Sequence, residues 1–211
     1  MITTAPLYPS EQLRHAVQLL EGGGILAYPT ETLYGLGVDP FNPQAVRRLL
    51  DLKGREAKKG LILLVPNSVA LLPLVQPLEA VAQRLIEHFW PAPLTLVLPA
   101  QAGLSSLLTG GTGLVAVRHS SSPYVQALMA HWQRPLVSTS ANPSGSQVQH
   151  WSPERIAAEW GGQVDMILAG PYDDGALAST VVKVIAGRGV VLREGAITCA
   201  QLQQIIPIEA V

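Results

Sequence analysis

Two spacings of apolar residues alternate along this chain. Leu13, Val17 and Leu20 recur at helical spacing behind Ser10, and Gly22-Gly23-Gly24 closes the run. That pattern predicts a helix capped by Ser10, with a strand to follow over 25–28. Asn42-Pro43 reads as an N-cap with proline in the first helical position, opening a helix with Val46, Leu49 and Leu50 inward. Residues 61–65 form an unbroken apolar run, the signature of a strand buried on both faces. The same grammar continues with a helix over 79–89 and strands over 94–98 and 114–118. Ser122-Pro123 opens a helix with Val125, Leu128, Met129 and Trp132 inward, and a strand over 136–139 follows. Ser152-Pro153 opens a helix through Trp160. Strands are predicted over 166–168, 180–185 and 190–192, and Thr198 with Gln201 makes a capping box for a last helix. Helices alternating with short strands predict an α/β fold: a twisted open mixed sheet flanked by helices, in a single domain over 1–211 with its core about 10–197.

Composition supports that picture and narrows the function. Of 211 residues, 48% are apolar and 14% charged, enough to bury a large core. Mean hydropathy is positive. Charges, prolines or glycines nevertheless interrupt every apolar stretch well short of a membrane span. Residues 1–10 carry neither a basic nor an apolar leader region, and a single cysteine, Cys199, excludes an internal disulfide and a multi-cysteine zinc site. The expected compartment is the cytoplasm.

Net charge is −1, so the chain is not a general polycation. Six of its 14 basic residues nevertheless crowd into 47–59: Arg47, Arg48, Lys53, Arg55, Lys58 and Lys59. This cluster runs into a glycine-containing turn before a strand, a suitable place for an anion site. No Walker A pattern and no strand-linked GxGxxG occurs, so phosphates would have to be held by side chains and turn amides.

Polar residues gather where strands are expected to end. Thr30-Glu31-Thr32 follows one strand and runs into Tyr34-Gly35-Leu36-Gly37. Arg118 terminates another, where it could grip a carboxylate or form a structural salt bridge. Ser138-Thr139-Ser140-Ala141-Asn142 crowds hydroxyls and an amide onto a third. Ser179-Thr180 leads a fourth, and Arg193 closes a fifth. Trp90-Pro91-Ala92-Pro93 reads as a packing corner. The five histidines (His15, His88, His119, His131 and His150) show no metal-ligand spacing. Trp132, Trp160 and Cys199 read as structural.

Taken in order, these segments resemble the YrdC-like threonylcarbamoyl-AMP synthases. The resemblance covers about 23–197 and rests on Pro29-Thr30-Glu31-Thr32 with Tyr34-Gly35-Leu36-Gly37, on the Lys53/Arg55 and Ser140/Asn142 pairs, and on Arg118, Ser179-Thr180 and Arg193. It implies that L-threonine, bicarbonate and ATP become threonylcarbamoyl-AMP and pyrophosphate, for modification of the adenosine beside the anticodon. It further implies ATP contacts at Lys53, Arg55, Lys59, Ser140, Asn142 and Arg193, with Lys53 and Arg55 catalytic. Threonine or carbamate contacts would fall on Thr30, Thr32, Arg118, Ser138 and Ser179. A Mg²⁺ ion is expected on the phosphates, held mainly by the nucleotide and water. The expected partners are tRNA threonylcarbamoyl-transfer proteins, with tRNA or double-stranded RNA binding as a further expectation. Departures from the common pattern are Glu56, Ala92, Lys58-Lys59-Gly60-Leu61, Leu64 and Ala178, and the extra C-terminal domain of longer members is not expected. Two rivals share some of these features: a carbamoyl-adenylate-forming transferase and a non-catalytic RNA-binding module.

Overall fold

The computed structural model describes residues 7–145, 151–171 and 173–210. Residues 1–6, part of the N-terminal stretch read above, and His150 fall outside them. Seven helices lie among the described residues: α1 Ser10–Glu21, α2 Pro43–Lys53, α3 Ala80–Phe89, α4 Ser106–Thr109, α5 Pro123–Trp132, α6 Pro153–Trp160 and α7 Cys199–Gln203. The strands are β1 Leu26–Tyr28, β2 Gly35–Gly37, β3 Ile62–Leu64, β4 Leu94–Pro99, β5 Leu114–Arg118, β6 Leu136–Ser140, β7 Met166–Ile167, β8 Thr180–Ile185, β9 Arg188–Arg193 and β10 Ile208–Ala210. No helix among the described residues is long and apolar enough to cross a membrane.

The predicted caps form as their chemistry requires. The Asn42 side chain accepts from the Gln44 and Ala45 amides with Pro43 behind it. Ser122 and Ser152 cap α5 and α6 in front of their prolines. The Thr198/Gln201 capping box closes in both directions. One prediction needs correction: Ser10 is the first residue of α1, Pro9 takes the cap position without a side-chain bond, and Ala16 is buried where Val17 is only half-buried.

All ten strands join one mixed sheet in the order β10-β9-β8-β4-β5-β3-β6-β2-β1-β7. Two of them escape the sequence pattern, and both for local reasons. Gly35-Leu36-Gly37 reads as a turn, yet it pairs with β1 on one side and β6 on the other. Its glycines lie against Tyr28: a Cβ on Gly37 would stand 2.7 Å from that ring, and one on Gly35 3.2 Å from it. Strand β10 pairs in parallel with β9 beyond the last predicted helix.

Register determines which residues share a face. Pairing places Tyr28, Gly35 and Ser140 side by side, then Ser138 with Ile62, Leu64 with Arg118, and Val181 with Arg193. Helices α1 and α5 cover one end of this face, packing Leu13, Leu20, Leu128 and Trp132 on Leu26, Tyr28, Leu64 and Leu136. They do not reach its middle. The opposite face is closed by α2, α3 and α6 around Leu49, Leu63, Leu85, Val117, Val137 and Trp160. A concave, half-open floor therefore remains where β6, β5, β8 and β9 carry their polar ends beside the apolar β3.

Candidate active site

The largest group of chemistry-bearing side chains lines the bare part of that floor. The cavity is open at its mouth and holds about 760 Å³ of empty space when the adjoining solvent is counted. Its walls carry three guanidiniums (Arg55, Arg118 and Arg193) and the hydroxyl-bearing residues Thr30, Thr32, Ser138, Ser140 and Ser179, with Thr139 also in the lining. Leu33, Leu61, Ile62 and Leu64 supply an apolar wall that the polar motifs do not announce.

Arg118 is the most deeply set of the three guanidiniums. It ends β5 with its side chain 7% exposed, and its Nη2 lies 2.6 Å from Glu31 Oε1. Both terminal nitrogens also reach Thr32 Oγ1, at 3.3 and 3.4 Å, while the buried Nε has no partner among the described residues. Glu31 is in turn held from behind: it accepts from Ser120 Oγ and, at 3.0 Å, from the Ser121 amide. Burial alone would raise the Glu31 carboxyl, but the Arg118 charge and these hydrogen bonds hold it below the ordinary carboxylate value. Thr30 and Thr32 form a tight turn in which Thr30 Oγ1 donates to Leu33 O at 2.7 Å and accepts from the Thr32 amide at 3.0 Å. Arg118 is thus both an ion-pair member and a cavity cation. Glu31 belonged to a segment the sequence marked, but a partner 87 positions away left no local signal.

Arg55 and Arg193 are held differently. Arg55 follows Gly54, which ends α2 in the left-handed conformation at φ 58°. Its guanidinium donates to Gly60 O at 2.9 Å and Lys59 O at 3.1 Å. Arg193 donates to Ser179 O at 2.8 Å and Ser179 Oγ at 3.1 Å, and Ser179 Oγ shares a 3.0 Å bond with Thr95 Oγ1. Burial pulls Arg55 below its ordinary value. Burial, then the Arg118 charge, does the same to Arg193. Three cations crowded together in this way favour an anionic ligand.

Three of the predicted site residues do not line the cavity. The Lys59 side chain is exposed, and its carbonyl serves as an acceptor for Arg55. Asn142 is 5% exposed and sits past the end of β6. Lys53 is 4% exposed, and its ammonium donates to the carbonyls of Ser140 and Asn142. Burial and the Arg55 charge push Lys53 down to about 7, against which the two carbonyl acceptors favour the charged form. The physical reason is reach: Lys53 ends α2 on the helix-covered side of β6.

Among the described residues no cluster of three His, Cys, Asp or Glu could hold a metal. The cavity wall offers hydroxyl rather than carboxylate oxygens. The residues present do not by themselves make a Mg²⁺ site, and such an ion would have to arrive with the triphosphate.

The Sua5/YciO/YrdC family model, described as "Telomere recombination", matches residues 18–195. The chain belongs to this family. A threonylcarbamoyl-AMP synthase of Vibrio vulnificus is 42% identical over 160 residues, covering 75% of this chain and 86% of that protein. One from Idiomarina loihiensis is 46% identical over 153 residues, covering 69% and 78%. Among solved structures, P. abyssi Sua5 complexed with L-threonine superposes with a TM-score of 0.88 at 31% identity. That match covers 95% of this chain but 60% of the Sua5 chain.

Proposed function

We propose that this chain condenses L-threonine, bicarbonate and ATP into threonylcarbamoyl-AMP and pyrophosphate. One observation carries the reading: Arg118 stands on the same cavity floor as Arg55 and Arg193, so one space offers cations to both an amino-acid carboxylate and a polyphosphate. The names of the synthases most similar in sequence, and the threonine bound to P. abyssi Sua5, support the same chemistry.

In this mechanism Arg118 binds the threonine carboxylate, with Thr32 beside it, and leaves the amine free. The amine nitrogen forms a bond to the bicarbonate carbon as a C–O bond breaks and water leaves, giving the carbamate. A carbamate oxygen then attacks the α-phosphorus in line. The new P–O bond forms as the bond to the β-phosphate oxygen breaks, and pyrophosphate leaves with that electron pair. The chain contributes positioning and charge neutralisation, both of which act more strongly in a cavity shielded from water. Arg55 and Arg193 face the phosphates, Ser138 and Ser179 line the same cavity, and Ser140 borders the nucleotide. Asn142, Lys59 and Lys53 support that end without lining the cavity. A Mg²⁺ ion would neutralise phosphate charge when bound with ATP.

The single domain over 1–211 would work in the cytoplasm, where ATP and tRNA are available. Its product would pass to tRNA threonylcarbamoyl-transfer proteins, and the exposed Lys58 and Lys59 beside the cavity offer phosphate contacts to RNA. Pyrophosphate release from ATP tests the reading, with threonine and bicarbonate each withheld in turn. Release that requires both is the expected result. Release with carbamoyl phosphate instead would mark a carbamoyl-adenylate-forming transferase, and ATP-independent RNA binding alone would leave only the binding-module reading.

A further inference from the structure

The strand end that borders the cavity is fastened from the side facing away from it. Three successive carbonyls, those of Ser140, Ala141 and Asn142, each accept from a side chain. Lys53 Nζ takes the first and third, and Trp160 Nε1 takes the second at 2.8 Å. The main chain adds two more ties. The Ser144 amide donates to Lys53 O at 3.0 Å, and the Ala141 amide donates to Tyr34 O at 2.8 Å. One residue, Lys53, therefore grips the 140–144 segment at three points, and it also stands two residues before Arg55.

The donors come from the covered face. Trp160 belongs to the core cluster that holds Val137 and Leu63, and α2 packs into the same cluster through Val46, Leu49 and Leu50. Neither Lys53 nor Trp160 lines the cavity, whereas Ser138, Thr139 and Ser140 do. Buried carbonyls without donors are costly, and the turn could be expected to rearrange if either donor were lost. A lysine whose ammonium is occupied by two carbonyls behind the strand is also poorly placed to meet a phosphate in front of it.

We propose that Lys53, together with Trp160, is a positioning residue: it acts by clasping the Ser140–Asn142 carbonyls so that Ser138 and Ser140 face the ligand, and it does not touch the nucleotide's phosphates. The assignment of the ligand as a nucleotide rests on the function proposed above. The clasp itself does not.

Two measurements on the full chain separate these levels. The first needs no ligand: hydrogen exchange of backbone amides across 136–145 in the wild type, Trp160→Phe, Lys53→Met and the double variant. Exchange should rise about tenfold in Trp160→Phe, as expected for one lost buried hydrogen bond, and further in Lys53→Met. The second is calorimetric binding of ATP and of AMP, with the KM for threonine followed in parallel. Trp160→Phe should weaken ATP and AMP by the same factor, about tenfold, while the KM for threonine moves less than twofold. The double variant should lose less than the product of the single losses, because both residues hold one turn.

The proposal is overturned if Lys53→Met weakens ATP far more than AMP while exchange across 136–145 stays at the wild-type rate, since that pattern marks a direct phosphate contact. It is equally overturned if Trp160→Phe changes neither exchange nor nucleotide affinity. Should Lys53→Met fail to fold, Trp160→Phe carries the test alone. Absence of pyrophosphate release by the wild type would sink the proposed function and leave the exchange result standing.

Discussion

The two ends of the cavity hold their cations by different chemistry. At the Thr30–Thr32 end, Arg118 is paired with a carboxylate, Glu31, in a largely buried contact of 2.6 Å. At the other end Arg55 and Arg193 are held mainly by carbonyls. A carboxylate fixes a guanidinium and cancels much of its charge. A carbonyl fixes a cation and leaves the charge whole. The first arrangement suits a singly charged carboxylate that must be oriented. The second suits a polyphosphate whose charge must be offset. The orphaned Arg118 Nε leaves one directed donor at the neutralised end.

The largest effect should come from opening the ion pair. Arg118→Ala leaves Glu31 as an uncompensated, mostly buried carboxylate, and should cost about 3–5 kcal/mol in urea unfolding. Combining it with Glu31→Gln should restore part of that loss. A double variant no better than Arg118→Ala would mean that the pair is not what orders this end.

At the carbonyl-held end the effect should fall on turnover instead. Among the described residues the Arg55 guanidinium bonds to the Lys59 and Gly60 carbonyls of its own turn, so Arg55→Ala should keep the unfolding midpoint near wild type. Its pyrophosphate release should drop by about 10²–10³, the usual loss when a preorganised charge-stabilising donor is removed. An Arg55→Ala protein that unfolds, or that keeps full activity, breaks the comparison.

Salt sharpens the contrast further. Full, half-exposed charges are screened more than a buried neutralised pair. The KM for ATP should therefore climb several-fold between about 0.05 and 0.5 M salt, with a much smaller change in the KM for threonine. Equal slopes would show that Glu31 does not neutralise Arg118.

The smallest effect is expected from titrating Glu31. Its folded value lies below its unfolded one, so its contribution to stability is fully present above the ordinary carboxylate range. That contribution is lost as pH falls through the lowered folded value. Wild-type stability should fall more steeply with acid than that of Glu31→Gln when both are followed by thermal unfolding from pH 6 downward. Parallel acid limbs would assign the pairing energy elsewhere.

Local chemistry made most of the framework legible before any coordinates. Asn42-Pro43, Ser122-Pro123, Ser152-Pro153 and Thr198 with Gln201 each start a helix through a bond to an amide two or three residues away, and such bonds are written into neighbouring positions. The strands at 114–118 and 180–185 follow from apolar runs in the same way. Strand β2 was not legible, because what makes Gly35-Leu36-Gly37 a strand is the ring of Tyr28 beside it and a partner more than 100 positions away.

The site divides along the same line. The sequence by itself determined which side chains could bind anions and that they cluster at strand ends and in one basic turn: Arg118, Arg193, Thr30, Thr32, Ser138, Ser140 and Ser179, with Arg55 in the turn. Only the tertiary structure decided their offices. It paired Arg118 with Glu31, turned Lys53 away from the cavity toward Ser140 and Asn142, and brought Trp160 to Ala141. Each of those choices joins residues at least 19 and as many as 89 positions apart. Helix and strand periodicities carry information over a few residues, whereas a charge or a buried carbonyl is satisfied by whatever the sheet order brings within 3 Å.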